Sequence, residues 1–143
     1  MSKKYTNKDY WEKYWDEEIR RETIFYFDEL LDRYIPWKEL SSYMEIGGAP
    51  GSVMAHMYKM HGLSVATVDF TDRKRIIDFL NAYGVEKYNV YQSDFIKFDT
   101  ISHYKKYSMV ASWGFVEHFE KEVTAKFIEK QKSMVCNNGY LVV

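Results

Sequence analysis

Glu45, Gly47, Gly48 and Gly51 fall within seven positions of one another, inside the stretch YMEIGGAPGS at residues 43–52. An apolar stub that ends in a carboxylate and runs into glycines reads as a strand stopping at a turn. Ligands can come close to such a turn because glycine puts no Cβ in the way. Its backbone amides, beside the start of a helix, are free to donate, and Pro50 stiffens the chain near that helix start. The dinucleotide fingerprint wants glycine at its first, third and sixth positions. Counted from Gly47, this chain offers Gly47, Ala49 and Ser52, so the spacing argues against a pyrophosphate.

Further groups able to do chemistry follow at intervals. Asp69 stands 18 residues after Gly51, at the end of an apolar run, LSVATVDF. A carboxylate there can accept two hydrogen bonds from a ribose diol, and Phe70 can lay a ring against a purine. Asp94, in QSDF after a third apolar run, can accept from an exocyclic amine such as adenine presents. Phe95 beside it adds an apolar wall. A fourth cluster, SWGFVEHF at residues 112–119, brings Trp113, Gly114 and the pair Glu117–His118. His118 is a candidate general base for a protic substrate, with a structural place at a helix start as the competing reading.

The elements that must position these groups alternate. SYMEIG, LSVATVDF, KYNVYQSDF, YSMVASWG and NNGYLVV read as strands. SVMAHMYKMHG is a helical stretch closed by Gly62, TDRKRIIDFLNAYG one capped by Thr71 or Asp72 and stopped by Gly84, and EHFEKEVTAKFIEKQKSMV a third. Strand and helix at this spacing mean βαβ units, hence a doubly wound α/β fold with a mainly parallel sheet of about five strands. Ligands bind such sheets outside the carboxyl ends of the strands, where all four clusters fall. Residues 9–35 read as helix with a break near 18–22, stopped by Pro36. Trp11 and Trp15 share one face, and Ile24, Phe27, Leu31 and Tyr34 form an apolar stripe. The aromatic face around Tyr14 reads first as packing and second as a cover for substrate. Two units are expected, a helical cap over 1–38 and a ligand-binding domain over 39–143.

These motifs resemble the class I, Rossmann-like S-adenosylmethionine-dependent methyltransferases, over about residues 40–143. MEIGGAPG is similar to the family's acidic residue followed by x-G-x-G-x-G, with Ala49 where the middle glycine is usual. Asp69 matches the residue that binds the ribose hydroxyls, and Asp94 the one near the adenine amino group. SMVASWGFVEHF resembles the segment after the fourth strand, with Ser108 replacing the usual aspartate. The resemblance implies S-adenosyl-L-methionine as cofactor. It would be held by Glu45, Gly47, Gly48, Ala49, Gly51, Asp69, Phe70, Ser93, Asp94, Phe95, Ser112, Trp113 and Gly114. It implies methyl transfer to a small-molecule acceptor, with His118 the candidate catalytic residue and the N-terminal helices a cap over the site. In this family the carboxylate of the glycine turn lies near the cofactor's amino-acid portion. A carboxylate attracts a sulfonium and an ammonium where it would repel a pyrophosphate, which favours this cofactor over NAD. Two readings from other classes remain: a non-catalytic module that keeps the fold, and a nicotinamide-dependent oxidoreductase.

Bulk properties narrow the classes further. With 143 residues, 46% hydrophobic and 29% charged, the chain suits one soluble globular domain. A net charge of −1 gives no clustered basic surface for nucleic acid, and the short run Arg73–Arg75 reads as a solvated helix face. No signal-like or membrane-spanning apolar run is present, so a cytoplasmic location is expected. Cys136, the single cysteine, reads as a buried, inert thiol near a helix end. His56, His61 and His103 lack ligand-like spacing, so no metal site is expected. The fifth strand ends the chain as an apolar run, whereas the family's sheet has two further strands. A truncated domain is expected, or an edge covered by a partner or a second copy.

Overall fold

The structure, a computed structural model, describes residues 7–18 and 27–143. The elements in chain order are α1 (Lys8–Glu18), α2 (Asp28–Leu31), β1 (Ser42–Ile46), α3 (Ser52–His61), β2 (Ser64–Asp69) and α4 (Arg73–Ala82). There follow β3 (Tyr88–Gln92), β4 (Tyr107–Ala111), α5 (Lys121–Met134) and β5 (Val135–Val142). The five strands form one sheet in the order β3-β2-β1-β4-β5, every pairing parallel.

Alternation within β1 explains the two cores. Successive strand side chains point to opposite faces. Tyr43 joins Met54, Met57, Val65, Ile76 and Leu80 in one cluster, formed with α3 and α4. Met44 and Ile46 join Ala66, Val68, Phe127 and Met134 in the other, formed with α5. A parallel sheet covered on both faces buries its central strands along nearly their whole length, and β1, β2 and β4 are so placed, with Glu45, Thr67 and Asp69 the polar side chains among them that are buried.

Local signals act as their chemistry requires. Gly62 takes φ +70° after α3, and the Leu63 N–H returns to the Met57 carbonyl, which satisfies the last turn of the helix. The Asp72 side chain caps α4 by accepting from Lys74 N at 2.9 Å. Ser108, at the opening of β4, accepts from the amides of Ser41 (3.0 Å) and Ser42 (2.8 Å) and donates to the Ser42 carbonyl (2.8 Å). A serine thus ties β4 to β1 at the foot of the sheet.

Several expectations are corrected. Of the long helix over 9–35, the described parts are α1 and the single turn of α2; residues 19–26, with Ile24, lie outside the described residues. In the stripe after it, Leu31 is buried but Phe27 and Tyr34 are 51% and 70% exposed, since the four-residue α2 includes neither: Phe27 precedes it and Tyr34 follows it. The fifth strand begins at Val135, earlier than NNGYLVV, and its register with β4 shifts between Tyr107 and Met109. Gly139 sits in that irregularity, where a Cβ would stand 2.8 Å from the Ser108 carbonyl oxygen. Cys136 lies in this strand and is only half-buried, since β5 forms the sheet's edge.

Candidate functional site

The strand order changes direction between β1 and β4, and the crevice outside their carboxyl ends is where such sheets bind ligands. A cavity of about 590 Å³ opens there, within the usual range for small-molecule sites. Its walls come from the ends of β1, β2, β3 and β4, with α1 as the fifth side.

The β1 turn supplies the floor. Gly47 has φ +73°, and a Cβ there would stand 2.8 Å from Phe115 Cδ2. At Gly48 a Cβ would come within 2.5 Å of Thr67 Oγ1. Thr67 occupies that space to bridge strand and turn: its hydroxyl donates to the Glu45 carbonyl (2.9 Å) and accepts from Gly48 N (3.2 Å). Ala49, where the middle glycine is usual, is buried and donates its N–H to Asp69 Oδ2 at 3.0 Å, so the amides of Gly47, Gly48 and Ala49 are all taken up within the protein and are not the free donors expected of the turn.

Asp69 closes the turn from the β2 side. Its other oxygen, Oδ1, accepts from Thr71 N at 2.7 Å. Each carboxylate oxygen has two acceptor directions, so one on each is left for a ligand.

Glu45 is the most perturbed group in the wall. It is 4% exposed, and its Oε2 is buried with no hydrogen-bond partner. Burial holds the carboxyl up at about pKa 8; the Tyr43 hydroxyl, which donates to it, opposes the rise, and the Asp69 charge adds to it. Tyr43 in turn accepts from Trp113 Nε1 at 2.8 Å, so a polar chain runs from the β4 loop through β1 to Glu45. By its place in the sequence Glu45 reads as a fixed negative charge. In the ligand-free protein near neutral pH the carboxyl keeps its proton, because a desolvated charge beside another carboxylate is costly.

Phe70, Ser93, Asp94, Phe95, Trp113, Gly114 and His118 all line the cavity. Asp94 is exposed, and its Oδ1 accepts from Ile96 N at 2.9 Å, fixing the loop after β3. Lys130 of α5 holds that loop from behind by donating to the carbonyls of Ile96 (2.9 Å) and Phe98 (3.2 Å). Phe95 is both wall and core, being 4% exposed and packed with Phe127. Gly51 and Ser112 stand behind the wall. Gly51, φ +116°, makes room for Phe79 and Leu80 of α4, and Ser112 is buried with its N–H on the Val142 carbonyl.

The aromatic face of α1 is wall as well as packing. Tyr10, Trp11, Tyr14 and Trp15 line the cavity, and Trp11 meets the His118 ring with centroids 5.2 Å apart. Arg75 helps to seat α1, beside the packing of Trp15 on the core. Its guanidinium pairs with Asp16 (2.7 Å) and donates to the Glu12 carbonyl (2.8 Å). The basic run is therefore not simply a solvated face, because Arg75 reaches back to the N-terminal helix. Thr67, Tyr43 and Arg75 carry no local motif; only their partners, far away in the chain, mark them.

No protein-family model and no curated protein matches the chain. Solved structures do. An O-methyltransferase family protein from Burkholderia thailandensis superposes with TM-score 0.73 at 12% identity, over 96% of this chain and 42% of that one. The S-adenosylmethionine-dependent methyltransferase SibL gives 0.68 at 14% identity over 80% and 34%, and the mitomycin 7-O-methyltransferase MmcR gives 0.66 at 13% over 78% and 33%. The chain spans well under two thirds of the length of each of these structures. Among the described residues no helix is long and apolar enough to cross a membrane. At such identities the likeness is one of architecture: the chain has the class I, Rossmann-like fold of the S-adenosylmethionine-dependent methyltransferases.

Proposed function

We propose that the cavity binds S-adenosyl-L-methionine and serves methyl transfer to a small-molecule acceptor. The observation that carries this reading is the pairing of two carboxyl groups around a glycine turn. Glu45 has a buried, unsatisfied oxygen, and Asp69 keeps acceptor capacity beside it. A ligand with a cationic amino-acid end and a ribose diol suits both. A pyrophosphate suits the pair poorly, because it would face the Asp69 carboxylate with no cation beside it, whereas a cationic ligand favours the ionised form of Glu45.

The turn at Gly47 and Gly48 would hold the amino-acid portion, Glu45 its positive charge, and Asp69 the ribose. Asp94 would take the adenine amino group, between the walls formed by Phe70 and Phe95. When bound, the cofactor supplies a methyl group already activated for transfer. The chain's part is to position the acceptor for in-line attack and to exclude water. The face formed by Trp11, Tyr14, Trp15 and Trp113 would shelter the acceptor. For a protic acceptor, His118, whose ring meets Trp11 of that wall, would take the proton.

Calorimetric titration tests the reading. S-adenosylmethionine and S-adenosylhomocysteine should bind at one site per chain, and NAD should give no saturable heat. Binding of NAD alone would overturn it. Tight binding of the sulfonium without turnover on any acceptor would instead favour an association module with the same fold.

A further inference from the structure

Three side chains outside the cavity converge where the N-terminal segment meets α3. His56 and His61 belong to that helix, and Asp28 opens α2. His61 Nε2 stands 2.9 Å from Asp28 Oδ1, and His56 Nε2 stands 3.0 Å from Asp28 Oδ2. One ligand atom from each of the three lies within 4.8 Å of the other two. Spacing along the chain does not announce this, because the histidines are five apart and the carboxylate comes from a separate element.

We propose that Asp28, His56 and His61 form a binding site for one divalent transition-metal ion of the zinc type, which clasps α2 to α3. Two imidazoles and one carboxylate make the donor set of three-ligand zinc sites, with a fourth position left for water. Imidazole ligands select zinc and its neighbours over magnesium or calcium, which prefer oxygen. Around a tetrahedral ion with bonds of about 2.1 Å, neighbouring ligand atoms stand about 3.4 Å apart. The two nitrogen–oxygen separations, each to a different oxygen of Asp28, fall a few tenths of an ångström short of that, and the three ligand atoms lie within 4.8 Å of one another, so side-chain rotation alone has to bring both imidazoles and one oxygen onto a common ion. The ring of His61 is already oriented by Trp37, which stacks on it with centroids 3.8 Å apart and planes at 16°. The side chains of His56 and Asp28 are 25% and 21% exposed, which leaves a way in for the ion and its water.

The site has a mechanical consequence. Phe27, next to Asp28, stacks on Trp113 of the cavity wall at 5.5 Å. An ion on Asp28 therefore fixes the segment that backs that wall. This inference is independent of what the cavity binds.

The test is titration of the full chain, stripped with chelator, with Zn²⁺ in competition with a chromophoric chelator. One ion per chain is expected, together with a higher thermal midpoint in its presence. A Co²⁺ titration should show the visible bands of a four-coordinate site. His61→Gln keeps a polar side chain facing Asp28 but is a poor ligand. It should lose at least about tenfold in affinity, the scale on which even outer-shell partners act, with unchanged circular dichroism. His56→Ala should behave likewise. No saturable binding by the wild-type chain would overturn the proposal. So would equal binding by both variants, or loss of binding in Cys136→Ser or His118→Ala instead.

Discussion

The carboxylate of Asp69 accepts the backbone N–H of Ala49 at 3.0 Å, so the end of β2 holds the glycine turn of β1 in place. Its second oxygen takes the Thr71 amide at 2.7 Å. One side chain thus shapes two loops of the same cavity. In Asp69→Asn the amide nitrogen must face one of those two donors. The unsatisfied contact should cost about 1–3 kcal/mol of stability, read as a lower urea midpoint, and S-adenosylhomocysteine should bind at least about tenfold more weakly. Unchanged stability would show that the carboxylate does not organise the turn.

Glu45 gives a prediction with a definite sign. Its carboxyl is raised from 4.5 to about 8 in the folded protein, chiefly by burial. Between those values the folded chain holds a proton that the unfolded chain has lost. Stability is then fully present below pH 4.5 and falls as pH rises towards 8, with a slope of at most about 1.4 kcal/mol per pH unit from this group. Glu45→Gln should remove that component from the pH dependence of urea unfolding. A cationic ligand favours the ionised form, so S-adenosylmethionine should release protons on binding below pH 8. Calorimetry in buffers of different ionisation enthalpy reads that release, and a buffer-independent heat would contradict it.

Gly48 has no room for a Cβ, since Thr67 Oγ1 would lie 2.5 Å away. Gly48→Ala should destabilise the protein by about 1–3 kcal/mol through overpacking. Thr67→Ala removes the obstructing hydroxyl and should recover part of that loss in the double variant, despite its own cost as a single change. Strict additivity in thermal unfolding would show that the two residues do not compete for the space.

Arg75 seats α1 through Asp16 and the Glu12 carbonyl. Arg75→Ala should change global stability by only about 1 kcal/mol, since the Asp16 carboxylate of the pair is solvent-exposed. It should nevertheless speed amide exchange across Lys8–Glu18 and weaken ligand binding, because α1 carries one wall of the cavity. Equal exchange rates in wild type and variant would refute the seating role.

Lys130 acts on the opposite side, holding the loop after β3 through the carbonyls of Ile96 and Phe98. Burial lowers the ammonium's pKa, and the Asp94 charge opposes that shift. Lys130→Met keeps the stem over Phe95 but leaves those carbonyls without their donor. It should loosen residues 94–98 in amide exchange and weaken S-adenosylhomocysteine binding while α5 stays helical by circular dichroism. Intact loop protection in the variant would remove Lys130 from the account.

What the sequence by itself determined is local. The strand at Ser42–Ile46, its glycine turn, the Gly62 stop and the Asp72 cap follow from apolar runs and punctuating residues a few positions apart. The parallel sheet follows from their alternation, and with it the gathering of Glu45, Asp69, Asp94 and Trp113 at one end of the strands. Tertiary structure alone decided the charge state of Glu45, since burial is a property of the packed core and not of residues 43–52. It also decided the bond of Trp113 to Tyr43 across 70 positions and of Arg75 to α1 across 63, and the meeting of Asp28 with His61 across 33. Such contacts leave no period or spacing in the chain, because their partners come together only after the sheet has been wound.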